Sequence, residues 1–191
     1  MTSTIRYRPL EWPKDRALLE RLDISFDAGE IYEVAAAPLA FALQATAVSP
    51  SLFKRYDVAW EELQYANAAI VAEANGSLVG VGAIAYHGWN RRAVISHLYV
   101  DRAARGSGIG TKLIAELRNA AEAIGARCLW AETQNVNAAA IRFYENRGFA
   151  FCGLDTSLYD PDDIQGETAV FFALRLDCTS GGRPPAPQQG L

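Results

Sequence analysis

A basic turn rich in glycine has the composition of a phosphate-binding site. The turn Arg105-Gly106-Ser107-Gly108-Ile109-Gly110 follows a strand-like run and leads directly into an amphipathic helix. Closely spaced glycines leave backbone N–H groups accessible, and a helix start adds unpaired donors and a partial positive charge. Such a turn can bind a phosphate or diphosphate, with Arg105 placed to assist. The alternative is a tight strand-to-helix connection that needs its glycines for geometry alone.

The spacing of these glycines excludes two familiar nucleotide-binding motifs. A G-x-G-x-x-G that begins at the first glycine would need its third glycine at Thr111. A P-loop ends in Gly-Lys-Ser/Thr, whereas Gly110-Thr111-Lys112 has the wrong order. The pattern that fits is R-x-x-G-x-G, formed by Arg105, Gly108 and Gly110. It resembles the pyrophosphate loop of the GNAT acetyltransferases, and this resemblance implies that the chain binds acetyl-CoA as its acyl donor.

A second segment places a tyrosine on a short helix downstream. Cys128 to Thr133 is predicted to form a buried strand, and Asn137 then takes the N-cap position of a helix over Ala138 to Asn146. Asn137 to Phe149 is similar to the GNAT segment N-x-x-A-x-x-x-Y-x-x-x-G-F. The resemblance implies that Tyr144 lies beside the cofactor sulfur and acts as the general acid. Periodicity alone would favour a core tyrosine at this position.

Glu132 is the candidate general base. It lies in an otherwise apolar predicted strand, where a carboxylate is costly unless it has a partner or a task. A primary amine with a pKa of about 10.4 is mostly protonated at neutral pH, so a base is needed near it. Partial burial would raise the pKa of Glu132 towards a useful value. A solvent-facing glutamate, or one paired with an arginine, is the alternative interpretation.

The predicted elements form an α/β domain, and the resemblance implies the GNAT fold. That fold is a mixed, mainly antiparallel central sheet flanked by helices, with two central strands that splay apart. By resemblance the two strands are His97 to Val100 and Leu129 to Thr133, and backbone groups freed by the splay pair with the pantetheine arm. The N–H near Val100 would stabilise the thioester oxygen. The resemblance assigns cofactor contacts to Leu98, Tyr99, Val100, Arg105, Gly106, Ser107, Gly108, Ile109, Gly110, Thr111, Asn137 and Tyr144.

Stretches outside the cofactor motifs bear on the acceptor. Trp89 to Arg92, Leu129-Trp130, Asn135 to Asn137 and above all Cys152 to Asp160 resemble those of streptothricin (nourseothricin) acetyltransferases. The resemblance implies that the acceptor is an amine of the β-lysine moiety and that acetylation inactivates this polycationic antibiotic. A cationic acceptor should meet carboxylates and aromatic faces. The candidates are Asp155, Tyr159, Trp89 and Tyr86, with Asp27 and Glu30 less favoured.

Two other functions stay open at this point. The acceptor could be a protein N-terminus, a lysine or a polyamine. The domain could also be an acetyl-CoA sensor without turnover, although the intact Tyr144 and Glu132 argue against this. No cysteine or serine has the setting of an activated nucleophile, so we expect direct transfer from acetyl-CoA to the amine.

The remaining strands and helices are predicted from the pattern of apolar and turn-forming residues. A strand over Ile5–Leu10 precedes a helix that starts at Trp12-Pro13 and runs to about Leu22. The alanine-rich stretch Ile31–Val48 is predicted as one or two strands on the acceptor side, although alanine would equally permit helix. Ser49-Pro50 is expected to end that stretch. Further strands are predicted over Ala68–Ala74 and Leu78–Tyr86, which form a hairpin, and over Phe149–Leu158 and Thr168–Leu176.

Length and composition set the remaining expectations. The 191 residues favour one domain, residues 1–177, followed by a Gly/Pro/Gln-rich tail, residues 178–191, that we expect to be disordered. The net charge of −4 disfavours a nucleic-acid partner. Three scattered cysteines and two isolated histidines predict reduced thiols and no metal site. Without an apolar signal core or a membrane-spanning run, we expect a cytoplasmic protein with no membrane partner, and a homodimer is possible.

Overall fold

The computed structural model describes residues 4–160, 162 and 166–176. Within these residues a mixed sheet has the strand order β1-β4-β5-β6-β7-β9-β8, and β2 and β3 form a separate ribbon. The strands are β1 (Arg6–Pro9), β2 (Phe26–Ala37), β3 (Ala40–Lys54), β4 (Ala68–Ala74), β5 (Ser77–His87), β6 (Arg92–Val100), β7 (Cys128–Gln134), β8 (Ala150–Asp155) and β9 (Ala169–Arg175). The α-helices are α1 (Arg16–Leu19), α2 (Ile109–Ala123) and α3 (Ala138–Asn146), and two 3-10 helices cover Trp60–Tyr65 and Arg102–Ala104.

The sheet confirms the predicted GNAT architecture. Its neighbouring strands are antiparallel except for β6 and β7, which run parallel. The predicted hairpin is confirmed as β4 and β5, with Asn75 and Gly76 in the positive-φ conformation that suits a two-residue turn. The apolar side of α2 packs on one face of the sheet through Leu113, Leu117 and Ala121.

The two central strands splay apart, as the resemblance implied. β6 and β7 pair only over Arg92–Val94 and Cys128–Trp130. Beyond these residues β6 continues to pair with β5 as far as Val100, and β7 continues to pair with β9 as far as Gln134. Ser96 is an extra residue in β6, opposite the step from Ala83 to Ile84, and such a bulge increases local twist. The gap therefore opens towards Val100 and Gln134.

Two predictions near the N-terminus were wrong in extent. The predicted helix from Trp12 to Leu22 is only α1, because the preceding residues form a turn around the buried Asp15 carboxylate. The predicted break at Pro50 is also wrong, because β3 continues to Lys54. Its pairing with β2 is interrupted where Ala28 lies opposite Leu52 and Glu30 lies opposite Ala47, which leaves Pro50 in an irregular stretch that needs no N–H.

Two further expectations concern the C-terminal tail and membrane-spanning segments. The C-terminal tail, residues 178–191, lies outside them. In the part of the chain that is described, no helix has both the length and the apolar character needed to span a membrane.

Candidate active site

A cleft of about 500 Å³ occupies the gap between the splayed strands. The ends of β6 and β7 form its sides, the turn before α2 forms one end, and α3 closes it. Every predicted cofactor-contact residue except Ser107 lines this cleft. The Ser107 hydroxyl instead donates to the carbonyl of Ala104 inside the turn. The structure therefore brings the glycine-rich turn, Glu132 and Tyr144 to one cavity.

The glycine-rich turn has the backbone conformation that an anion cradle needs. Gly106 and Gly108 have φ values of 79° and 85°, which side-chain-bearing residues rarely adopt, and space around both Cα atoms is open. Gly108 is the N-cap of α2, so the first amides of that helix lack intrahelical partners. A Cβ at Gly110 would come within 3.2 Å of the Phe143 ring. The Arg105 Nε donates to the Val100 carbonyl at 3.1 Å, which holds the guanidinium beside the turn. These features fit the diphosphate of acetyl-CoA.

Tyr144 points from α3 into the cleft and keeps its proton. Its ring stacks on Phe172 and packs edge-on against Phe149, with 6% of the residue exposed. Burial, and secondarily the charge of Glu132, raise the pKa of Tyr144 above its ordinary value. Within the described residues no hydrogen bond engages its hydroxyl group. A neutral phenol with a free O–H is suited to donate a proton or a hydrogen bond.

Glu132 reaches the cleft from β7. Because side chains alternate along a strand, Leu129 and Ala131 enter the core while Glu132 lies on the opposite face. Burial raises the pKa of the Glu132 carboxyl, and the negative charge of Glu167 adds to this effect. A hydrogen bond from the Tyr159 hydroxyl to Oε1 and the positive charge of Lys54 act in the opposite direction. The direct partner of Glu132 is therefore a tyrosine rather than the arginine considered from sequence.

Asn137 links α3 to Tyr56 and, through it, to the end of β7. Its Oδ1 accepts from the Ala140 N–H at 3.0 Å, as expected for an N-cap, and its Nδ2 donates to the Tyr56 oxygen at 3.1 Å. Tyr56 donates in turn to Oε1 of Gln134 at 2.6 Å. Sequence reasoning missed Tyr56 and Gln134, because only tertiary contact connects them to α3. Other cleft residues that it missed are Ile24, Phe26, Ile95, Ser96, Ala104, Thr133, Ala139, Ala140 and Phe143.

Of the predicted acceptor residues, Tyr159 contacts Glu132, although it does not itself line the cleft. Asp155 lies outside the cleft lining and accepts hydrogen bonds from the backbone and hydroxyl of Ser157. Trp89 is 84% exposed in the β5–β6 turn. Tyr86 lies opposite Ala93, where β6 and β7 are still joined, so both aromatic residues sit at the closed end of the splay.

The less favoured acidic candidates are engaged elsewhere. Asp27 pairs with Arg102, and Glu30 pairs with Arg142. Neither lines the main cleft, although both border a smaller adjoining cavity of about 280 Å³. The expected direct contacts of Asp155, Trp89, Tyr86, Asp27 and Glu30 with an acceptor in the main cleft therefore receive no support. Among the described residues, no group of three or more His, Cys, Asp or Glu side chains could hold a metal ion.

Comparison with known proteins agrees with this geometry. A model of the acetyltransferase (GNAT) family matches residues 30–149. Streptothricin acetyltransferase of Streptomyces lavendulae is 35% identical over 181 residues, which cover 90% of this chain and 95% of that protein.

Two crystal structures resemble the whole domain. The structure of nourseothricin acetyltransferase has a TM-score of 0.82 and 35% identity, and the match covers 90% of this chain and 98% of that one. A protein from Bacillus anthracis, provisionally described as a streptothricin acetyltransferase and solved in complex with acetyl coenzyme A, has a TM-score of 0.77. It is 26% identical, and the match covers 91% of this chain and 98% of that one. The chain therefore belongs to the acetyltransferase (GNAT) family and uses acetyl-CoA as its acyl donor.

Proposed function

We propose that this protein acetylates a primary amine of streptothricin, on its β-lysine moiety, and thereby inactivates the antibiotic. The observation that carries the chemistry is the convergence of Glu132, Tyr144 and the glycine-rich turn on one cleft between splayed strands. The choice of acceptor is supported by likeness that extends over 90% of the chain, well beyond the cofactor segments, to a streptothricin acetyltransferase.

The reaction proceeds by direct transfer. The cleft-facing carboxylate of Glu132 takes a proton from the acceptor ammonium, directly or through water. The neutral nitrogen then forms a bond to the acetyl carbon while the carbon–sulfur bond breaks. The Tyr144 hydroxyl donates its proton to the departing sulfur, and the acylated nitrogen releases its second proton to solvent to give the neutral amide. Proton exchange with solvent then restores the phenol and the Glu132 carboxylate. Burial raises the pKa of both groups. It keeps the Tyr144 phenol protonated, as an acid must be, and it makes the Glu132 carboxylate a stronger base. The hydrogen bond from Tyr159 limits the rise in the pKa of Glu132, so that the carboxyl can still ionise.

The residues of the glycine-rich turn hold the donor. Amides at the start of α2, with Arg105, bind the diphosphate, and Asn137 and the free edges of β6 and β7 line the path of the pantetheine arm. The thioester then lies between Glu132 and Tyr144. A preformed cradle of this kind supplies orientation, which contributes much of the rate enhancement in two-substrate reactions.

The acceptor is tested with a thiol-release assay on purified protein. Acetyl-CoA is supplied with streptothricin, a peptide with a free N-terminal amine, free lysine or a polyamine, and mass spectrometry locates the acetyl group. We expect streptothricin to have the highest kcat/KM and to gain one acetyl group on its β-lysine moiety. A higher kcat/KM for the peptide, lysine or polyamine would assign a different acceptor, and no turnover with any amine would favour a sensor.

The resistance role is tested in cells. Expression of the wild-type chain in a susceptible bacterium should raise the inhibitory concentration of streptothricin, and expression of Tyr144→Phe at the same level should not. Equal protection by both proteins would show that resistance does not depend on acetyl transfer assisted by the Tyr144 hydroxyl.

A further inference from the structure

A partly buried ion pair lies on the acceptor side of the cleft and is not used in the reaction described above. Lys54 is the last residue of β3, and Glu167 precedes β9. Both carboxylate oxygens of Glu167 accept from the Lys54 ammonium group, and the two side chains are only 16% and 11% exposed. The pair therefore joins the β2–β3 ribbon to the main sheet at the open end of the splay.

A chain of contacts leads from this ion pair to the strand face that carries Glu132. The Lys54 ammonium lies 5.6 Å from the centroid of the Tyr56 ring. The Tyr56 hydroxyl donates to Gln134, which is two residues beyond Glu132 on β7 and so lies on the same face of the strand. The pair is thus held near the general base, and among the described residues no hydrogen bond or salt bridge joins it to Glu132.

The two members of the pair act on Glu132 with opposite sign. The positive charge of Lys54 lowers the pKa of Glu132, and the negative charge of Glu167 raises it. While the pair is intact, these effects oppose one another. Because Glu132 is largely buried, an unbalanced charge nearby would act through a medium that screens it less than bulk water does.

The other titratable groups that interact with Glu132 are four tyrosines on different elements, and the charge of Glu132 raises the pKa of each. They are Tyr159 after β8, which bonds to it, Tyr99 on β6, Tyr56 after β3 and Tyr144 on α3. Burial raises the pKa of Tyr99 to about 12 and raises the pKa of the other three as well. All four are therefore neutral near pH 7, and the charged groups that shift the pKa of Glu132 among the described residues are Lys54 and Glu167.

We propose that Lys54 and Glu167 are positioning residues that form a charge-balanced pair and set the ionisation of Glu132 for deprotonating the acceptor amine. The inference rests on the proposed function, in which Glu132 is the base. Neither residue lines the cleft, so both act through Glu132 and not by touching the reacting atoms.

The test compares Lys54→Met, Glu167→Gln and the double variant. Glu167→Gln removes a negative charge and frees the Lys54 ammonium, so the acidic limb of kcat/KM should move to lower pH. Lys54→Met leaves Glu167 unbalanced, so the limb should move to higher pH. Each shift should be roughly 0.5–1 pH unit, the size expected for one unit charge in the neighbourhood of a largely buried carboxylate. The double variant restores the balance and should lie close to wild type.

A second readout needs no acceptor. The carboxyl carbon of Glu132 is titrated by ¹³C NMR, with its signal assigned by loss in Glu132→Gln. Lys54→Arg and Glu167→Asp keep both charges and serve as matched controls, which should titrate like wild type. If one single variant fails to fold, the direction of the shift in the pKa of Glu132 in the other variant still tests the proposal.

The outcomes separate this inference from the proposed function. Opposite shifts in the two single variants, cancelled in the double, support it. Shifts of the same sign, or an unmoved Glu132 titration in folded single variants, overturn it while leaving acetyl transfer intact. A pair that only stabilised the fold would lower the melting temperature in both single variants without opposite shifts. Wild-type protein that is inactive towards every amine refutes the proposed function instead.

Discussion

Tyr144→Phe should lower kcat by about 10²–10⁴-fold, the usual contribution of a positioned general acid. The substitution removes one oxygen atom and leaves the ring that packs on Phe149 and Phe172, at centroid distances of 5.2 and 5.8 Å. Since no described residue bonds to the Tyr144 hydroxyl, its loss leaves no protein group without a partner. The free energy of unfolding should therefore change by less than about 1 kcal/mol.

The measurement separates chemistry from donor binding. Initial rates of thiol release are recorded at saturating acceptor and varied acetyl-CoA, and calorimetry gives the Kd for acetyl-CoA. The Kd should stay within a fewfold of wild type, because the turn that holds the diphosphate is unchanged. Tyr65→Phe is the matched control, since it removes the same atom from a residue that is 79% exposed and does not line the cleft.

Two results would refute this reasoning. A kcat for Tyr144→Phe within twofold of wild type would show that the hydroxyl does not protonate the leaving sulfur. A rise in Kd as large as the fall in kcat/KM would show that the hydroxyl binds the donor and is not an acid. Thermal unfolding by circular dichroism, compared with Tyr65→Phe, checks that neither result comes from loss of the fold.

Three further predictions concern the cleft. Glu132→Gln should remove the acidic limb of the kcat/KM–pH profile, because that limb reports protonation of the Glu132 carboxylate and glutamine has no carboxylate to protonate. An unaltered limb would assign another base. Tyr159→Phe should move that limb to higher pH, since the Tyr159 hydrogen bond lowers the pKa of Glu132, and a shift to lower pH would contradict this. Gly110→Ala should raise the KM for acetyl-CoA severalfold, because the new Cβ would lie 3.2 Å from the Phe143 ring at the cradle. Steady-state kinetics that show a raised acetyl-CoA KM with an unchanged acceptor KM would confirm this prediction. An unchanged acetyl-CoA KM would show that the Phe143 ring moves aside without disturbing the turn.

Local sequence signals sufficed to predict the elements of the proposed acetyl-CoA site. The glycines at positions 106 and 108 require φ values that other residues rarely adopt, and Asn137 caps its helix through a contact three residues away. Such features depend on neighbours in the chain, so they can be predicted before any tertiary contact is known. The strands on either side follow from short apolar runs for the same reason.

The acceptor side could not be predicted in this way. Glu132 and Tyr159 lie 27 positions apart, and Lys54 and Glu167 lie 113 positions apart, yet each pair is in contact. Residue type alone made Trp89 and Tyr86 reasonable contacts for a cation. The strand register instead places them at the end of the sheet where β6 and β7 are still paired.

The sequence by itself determined the family and predicted the donor-binding turn and a candidate acid and base, because these depend on residue types at short, fixed spacings. The tertiary structure alone decided which groups surround the base. Strand register and the direction in which the splay opens are set by pairing between distant segments, and the charge environment of Glu132 follows from that pairing. Lys54 and Glu167, which no local pattern singled out, acquire their importance only because folding buries them together beside the cleft.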